Sequence, residues 1–185
     1  MKKLPLFIAV FFMITFLSCG EDDTVMQDDE QEEMEEEDVT NEIIFDGTTF
    51  VGTDGLLIDV GVESNIAPGH YTRKFAISDK AISVSSSGGF SIRTNAEFAL
   101  LFGASSLGTD GFKTGEFQFR PTAGSVPDAN FFFSGIFKSG SSQIAVNGGT
   151  ISISGTSPDY TVKLDLTLNG GKTVKGAFVG TFDIE

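Results

Sequence analysis

Side chains that could perform acid–base or nucleophilic chemistry are scarce in this sequence. His70 is the only histidine, which excludes a metal site built on paired histidines. It could act as a base for one of the many serines, but no Gly-x-Ser-x-Gly elbow occurs, no pattern places an acid beside it, and no pair of carboxylates stands out. His70 follows Pro68-Gly69, so we expect a turn or surface histidine at a loop-to-strand junction. The sequence therefore predicts no catalytic residues, no metal site, no cofactor and no enzyme activity.

Cys19, the only cysteine, stands in a context that indicates a different chemistry. Two lysines follow Met1, an apolar run covers residues 4–17, and a small residue precedes the cysteine, which is the layout of a secretory signal peptide. In a bacterial lipoprotein signal, the thiol receives a diacylglyceryl group and cleavage makes the cysteine the mature N-terminus. A transmembrane helix needs about 20 apolar residues, more than this run supplies, and a plain secretory signal would leave the cysteine there by chance. We predict a lipoprotein signal peptide over residues 1–18 and lipid attachment at Cys19.

A strongly acidic segment follows the cysteine. Residues 21–38 contain twelve Asp or Glu and no Lys or Arg. Like charges at this density repel each other and bury too little apolar surface to fold, so we expect residues 19–38 to be a disordered tether. Of the net charge of −14, the tether contributes −12 and the signal +2, which leaves −4 for residues 39–185. An acidic chain of this kind offers no electrostatic attraction for nucleic acid.

The tether has three interpretations. It can be a spacer that holds the domain away from the membrane. Gly20, Glu21, Asp22 and Asp23 resemble the acidic surface-export signals of lipoproteins in the Bacteroidota, and this resemblance implies a sorting role that is compatible with a spacer. A calcium site of the EF-hand type needs alternating Asp or Asn ligands, a Gly at the sixth position and a final Glu, and none of these spacings occurs. The spacer and the sorting signal both stay open.

Residues 39–185 have the composition of a domain made of short strands. They contain 21 glycines and 15 phenylalanines, and helix-forming runs are nearly absent. Residues 97–102 fit either a strand or one helical turn. Three antiparallel strands are predicted in the last forty residues. Seven further strands are predicted upstream, near 43–51, 56–63, 71–77, 81–86, 89–94, 116–120 and 131–137. We predict an all-β fold, a single antiparallel two-sheet β-sandwich of either jelly-roll or immunoglobulin-like type.

The clearest alternation lies near the C-terminus. From Tyr160 to Leu168, five apolar residues alternate with four polar ones, which places all five on one face of a strand. We therefore expect Leu164 and Leu166 to be buried while Lys163 and Asp165 face water. Asn169-Gly170-Gly171 then predicts a hairpin turn with positive φ. On the strand that follows, the residues predicted to share one face are Val174, Gly176, Phe178, Gly180 and Phe182.

The C-terminal strands and turns also carry a family resemblance. Residues 149–153 lead to 160–166, the segments 171–176 and 178–182 follow, and Ala67-Pro68-Gly69-His70-Tyr71 stands upstream. Together these segments resemble small β-sandwich surface lipoproteins of the Bacteroidota, most of which have no established biochemical role. The resemblance implies an architecture and attachment to the outer membrane through an N-terminal lipid. It implies no functional residues.

Aromatic side chains are the candidates for ligand contact. Phe131, Phe132 and Phe133 are consecutive in a predicted strand, so they point to both of its faces. Either the strand is covered on both sides, or one face leaves an apolar patch for a partner. Tyr71 is a further candidate, whereas Tyr160 is expected in the core. Sugar-binding platforms usually use Trp or Tyr, and the chain has no Trp and two Tyr.

These observations predict a lipoprotein of the cell outer membrane that faces the cell exterior. Its domain is expected to be a non-enzymatic binding or structural module, with a surface protein or a glycan as its partner. One alternative is an accessory glycan-binding protein of a polysaccharide-uptake system. The other is a fimbrial or adhesin subunit that assembles by strand donation, although the tether lacks the alternating apolar residues of a donor strand.

Overall fold

The computed structural model describes residues 40–63, 65–85, 89–92, 95–121 and 125–185. Within these ranges every regular element is a β-strand, which confirms the all-β prediction and makes residues 98–102 a strand. No helix in this part of the chain could cross a membrane. The predicted signal peptide, Cys19, the sorting residues Gly20–Asp23 and the rest of the acidic tether lie outside the described residues.

The strands of the described ranges are, in chain order, β1 (Glu42–Phe45), β2 (Thr48–Val51), β3 (Asp54–Val62), β4 (His70–Ser78), β5 (Ile82–Val84), β6 (Phe90–Ile92), β7 (Phe98–Leu107), β8 (Gly115–Phe119), β9 (Phe131–Ser139), β10 (Ser142–Thr156), β11 (Asp159–Leu168) and β12 (Thr173–Ile184).

Strand β11 follows the alternation of its sequence. Leu164 and Leu166 are buried, and Lys163 and Asp165 are exposed. The hairpin to β12 turns through Gly170 and Gly171, whose φ angles of 85° and 76° are both positive. The predicted faces of this hairpin are therefore confirmed, because period-two patterning specifies register wherever one face is buried.

The main sheet closes on itself. Seven strands form a hydrogen-bonded ring in the order β3, β4, β7, β9, β10, β11 and β12, and β12 returns to pair with β3. β8 pairs with β9 and β10, β1 and β2 extend from β12, and β5 with β6 forms a separate hairpin. Closure leaves the ring strands without a continuous open edge.

This topology corrects the prediction of an antiparallel sandwich of two sheets. The ten strands are one mixed sheet, in which β12 is parallel to β3 and β8 is parallel to β9. The ring explains the first parallel pair, because seven is an odd number. Strands that alternate in direction around an odd ring must meet once with the same direction.

Phenylalanine side chains fill the interior of the seven-stranded ring. Phe75 stacks on Phe102 with centroids 5.3 Å apart and meets Phe182 edge-on at 5.5 Å. Tyr160 lies in the same cluster, as expected, and its hydroxyl accepts a hydrogen bond of 2.6 Å from Arg73. Each fully buried aromatic contributes about 1.5–3 kcal/mol through its area, so this core stabilises the domain without a disulfide.

Candidate functional site

The outer face of β4, β7 and β9, opposite the main core, is covered by loops. Phe131 and Phe133 lie on this face and form an outer cluster with Ala67 and Val126, whereas Phe132 faces the interior of the ring. All three phenylalanines are buried. The strand is therefore covered on both sides, which was the first of the two alternatives for this run.

A β-bulge in β9 sets the directions of these side chains. On β7, Leu101 and Gly103 are two residues apart, but their partners on β9, Ile136 and Phe133, are three apart, so β9 holds one extra residue. Ser134 has a φ of 53°, the left-handed conformation of a bulge residue. The extra residue brings Phe137 to the interior face together with Phe132, although five positions separate them.

A cavity of about 320 Å³ opens on the outer face between the loop that follows β3 and the β5–β6 hairpin. We name it the lateral cavity. Its lining comes from the β3–β4 loop (Glu63, Ile66), β4 (Lys74), β6 (Phe90), β7 (Leu101, Phe102, Gly103) and β9 (Phe133, Ser134). Most of this lining is apolar, and its size falls at the lower end of small-molecule sites, roughly 300–1,000 Å³.

Gly103 positions the aromatic side of the lateral cavity. Lys74, Gly103 and Phe133 are successive partners across β4, β7 and β9, so they lie side by side on one face. The Phe133 ring lies directly over Gly103, where a β-carbon would come within 2.7 Å of it. An aromatic ring that covers a strand glycine in this way is held flat against the backbone.

The lateral cavity also contains two charged side chains of opposite sign. Glu63 has one carboxylate oxygen, Oε2, that is buried without a hydrogen-bond partner in the structure. Lys74 is half-buried and forms no ion pair with Glu63 or with any other described residue. The sequence signal that could have indicated this placement is the pair of consecutive bases Arg73 and Lys74 in a predicted strand, since one of them must point to each face. No local pattern singled out Glu63, Phe90 or Leu101.

Asp79 fastens the link between β4 and the β5–β6 hairpin, which supplies Phe90, to the start of β7. Its carboxylate accepts the backbone N–H of Phe98 at 3.1 Å and that of Glu97 at 3.2 Å, and it also meets the Lys80 ammonium at 3.2 Å. Burial acts to raise the pKa of Asp79, but these donors and the Lys80 charge outweigh it, so the pKa lies below its ordinary value. The link that leads into the hairpin is thus held by an ionised carboxylate.

His70 begins β4, at the predicted loop-to-strand junction, but it is not a surface histidine. Its ring is only 2% exposed and meets Phe131 edge-on at 5.0 Å. Nδ1 lies 3.0 Å from the carbonyl oxygen of Pro68, and Nε2 lies 3.0 Å from that of Ala129. Carbonyl oxygens only accept, so a neutral ring donates to one of them and a doubly protonated ring donates to both. His70 fastens two loops of the outer face and is not paired with a serine or an acid.

Tyr71, the remaining aromatic candidate, does not line the lateral cavity. Its hydroxyl interacts with the Asp59 carboxylate, which raises the pKa of Tyr71 above its ordinary value. Of the four aromatic candidates from the sequence, the structure places only Phe133 in the lateral cavity. Phe131 supports it from the outer cluster, and Phe132 belongs to the main core.

A second depression of about 430 Å³ lies beside Arg73 and Phe112, and its lining is evenly polar and apolar. Its charged groups already have partners within the protein. Arg73 donates to Asp59 at 3.0 Å and to the Tyr160 hydroxyl, and Lys113 pairs with Asp110. The lateral cavity, whose charges lack such partners, is therefore the stronger candidate for a ligand site.

The chain was also compared with known proteins. No family model, curated protein or solved structure matches it. The function of the chain is therefore inferred from its own residues and their geometry.

Proposed function

We propose that this chain is a lipid-anchored protein of the bacterial outer membrane, exposed to the cell exterior, whose β-domain binds a small ligand without transforming it. The context of Cys19 supports the anchor, and the acidic residues that follow it support surface display. The lateral cavity carries the binding function, because an apolar pocket with a few polar groups is the usual form of a small-molecule site.

The chemistry around the lateral cavity favours binding over catalysis. Glu63 and Lys74 are its charged lining residues, and the buried His70 is engaged by two backbone carbonyls. No nucleophile in the described lining stands within a hydrogen-bonded set of base and orienting acid, which is the usual way to activate a serine. The lining residues of the lateral cavity therefore support binding of a ligand.

The two alternative functions receive less support. A glycan-binding accessory protein would present an open platform of Trp or Tyr, whereas Tyr160 is buried and the lateral cavity is lined by phenylalanines. A fimbrial subunit needs an open sheet edge to accept a donated strand. The ring strands pair on both sides, and the outermost strand of the sheet, β2, has four residues.

Lipidation at Cys19 is the first expected result. The wild-type chain should fractionate with outer membranes, and its mature N-terminal peptide should carry a diacylglyceryl cysteine in mass spectrometry. Cys19→Ser removes the acceptor thiol, so that protein should be unprocessed or free of the membrane. An unmodified mature N-terminus at another residue would contradict the anchor.

Ligand entry into the lateral cavity is tested with indole, a neutral aromatic probe of suitable size. Indole should bind the Cys19→Ser protein in ligand-detected NMR. Adding Leu101→Trp places a larger side chain in the space that indole would occupy. The affinity for indole should then fall by roughly tenfold or more. The matched control is Ile184→Trp, at an apolar position that is 52% exposed and outside the cavity. Equal indole binding by both variants would exclude the lateral cavity as the site.

A further inference from the structure

Glu63 is the most informative residue of the lateral cavity, because one of its carboxylate oxygens, Oε2, is buried. A buried acceptor without a donor is costly, and an ionised one more so. Native proteins satisfy the great majority of such atoms with protein groups or water. No described residue donates a hydrogen bond to Glu63 Oε2, and Glu63 lines a space large enough for a small molecule. A ligand that donates a hydrogen to the Glu63 carboxylate, best from a cation, would offset its charge.

Lys74 adds a second requirement on the same ligand. Lys74 lines the same cavity, and no ion pair joins it to Glu63. A ligand with only an ammonium group would meet repulsion from Lys74, and a ligand with only a carboxylate would meet repulsion from Glu63. A zwitterion satisfies both groups and leaves the occupied cavity neutral.

The remaining lining defines the body of the ligand. Phe133 and Phe90 present aromatic surface, and Leu101 and Ile66 add aliphatic surface. A volume of about 320 Å³ admits one compact apolar group and is too small for an oligosaccharide or a folded segment. Aromatic bodies gain most here, since aromatic pairs add contact energy beyond the area they bury.

We infer that the lateral cavity takes a zwitterion with a compact aromatic body, the chemistry of a free aromatic amino acid. Its ammonium group donates to Glu63, its carboxylate meets Lys74, and its ring packs on Phe133 and Phe90. This assignment rests on the proposed binding function and makes it specific.

Four related probes separate the contributions of the two charges. Indole carries neither charged group, tryptamine carries the ammonium, indole-3-propionate carries the carboxylate, and L-tryptophan carries both. We expect L-tryptophan to bind the Cys19→Ser full chain most tightly, by roughly tenfold over each of the other three, as expected for an added charge-assisted hydrogen bond. Isothermal titration calorimetry at low and moderate salt measures the four affinities.

Matched variants assign each charge to its residue. Glu63→Gln should remove the advantage of L-tryptophan over indole-3-propionate, and Lys74→Gln should remove its advantage over tryptamine, while indole binds both variants as it binds the parent. Glu42→Gln, at an exposed acid of β1, is the control and should change none of the affinities. Urea unfolding of each variant verifies that the fold is intact.

The outcomes distinguish this inference from the proposed function. If all four probes bind equally, or if Glu63→Gln leaves the preference for L-tryptophan unchanged, the zwitterion assignment is refuted and the cavity remains a binding site. If none of the four probes binds the parent protein, both the assignment and the proposed binding function fall.

Discussion

Leu166→Ala should lower the free energy of unfolding by about 2–5 kcal/mol, the usual range for truncation of a buried leucine. Leu166 is 0% exposed and lies in the main core. On β11 it stands between Gly149 of β10 and Val174 of β12, inside the closed ring. The paired strands hold these backbones in place, so the site has little freedom to collapse around the missing atoms. Urea titration followed by circular dichroism measures the loss.

The neighbouring residue provides the matched control. Asp165 lies on the solvent-facing side of the same strand and forms an ion pair of 3.0 Å with Lys175. The side chains of Asp165 and Lys175 are 62% and 60% exposed. Exposed pairs of this kind contribute about 0–1 kcal/mol, so Asp165→Ala should change the stability little. If Asp165→Ala destabilised the protein as much as Leu166→Ala, the assignment of faces in β11 would be wrong.

Gly176→Ala should destabilise the protein by a similar amount for a different reason. Gly176 lies on β12 opposite Ile43 of β1, with a φ of 129°, and its β-carbon would collide with the backbone carbonyl of Glu42. Overpacking costs about 1–3 kcal/mol, and a positive φ adds roughly 1–2 kcal/mol for a residue with a β-carbon. We expect a loss of about 2–5 kcal/mol in urea unfolding, because β1 must move away from β12 and withdraw Ile43 from the core.

Gly170→Ala separates the two causes. Gly170 also has a positive φ, 85°, but a β-carbon there would meet nothing within 4 Å. This variant should lose only the conformational part, roughly 1–2 kcal/mol. Equal losses for Gly170→Ala and Gly176→Ala would show that the close approach of β1 to β12 does not contribute.

The sequence determined those features that depend on neighbours along the chain. Alternation in β11 predicted which of its residues are buried, because a strand has a side-chain period of two. Asn169-Gly170-Gly171 predicted the hairpin turn, because positive φ values favour glycine. The run of three phenylalanines predicted a strand with apolar residues on both faces.

The tertiary structure alone decided how the strands are joined. Local alternation carries no information on the direction of a neighbouring strand, so it could not reveal that seven strands close into a ring with β12 parallel to β3. The bulge at Ser134 was equally hidden, because it shifts the face of every later residue of β9 while the composition of the strand stays ordinary. His70 is buried where the loop of Ala129 meets the start of β4, a contact between residues 59 positions apart in the chain.

The same distinction applies to the candidate site. Phe133 could be named as a candidate from the sequence, because three consecutive phenylalanines place apolar side chains on both faces of their strand. Glu63, Lys74, Phe90 and Leu101 come from a loop and three separate strands. The pairing of β4 with β7 places Lys74 and Leu101 on neighbouring strands, and the β3–β4 loop and the separate β5–β6 hairpin add Glu63 and Phe90. Each local segment determines the face on which a side chain lies. Which side chains meet there depends on contacts between residues far apart in the chain, and these form only when the sheet closes.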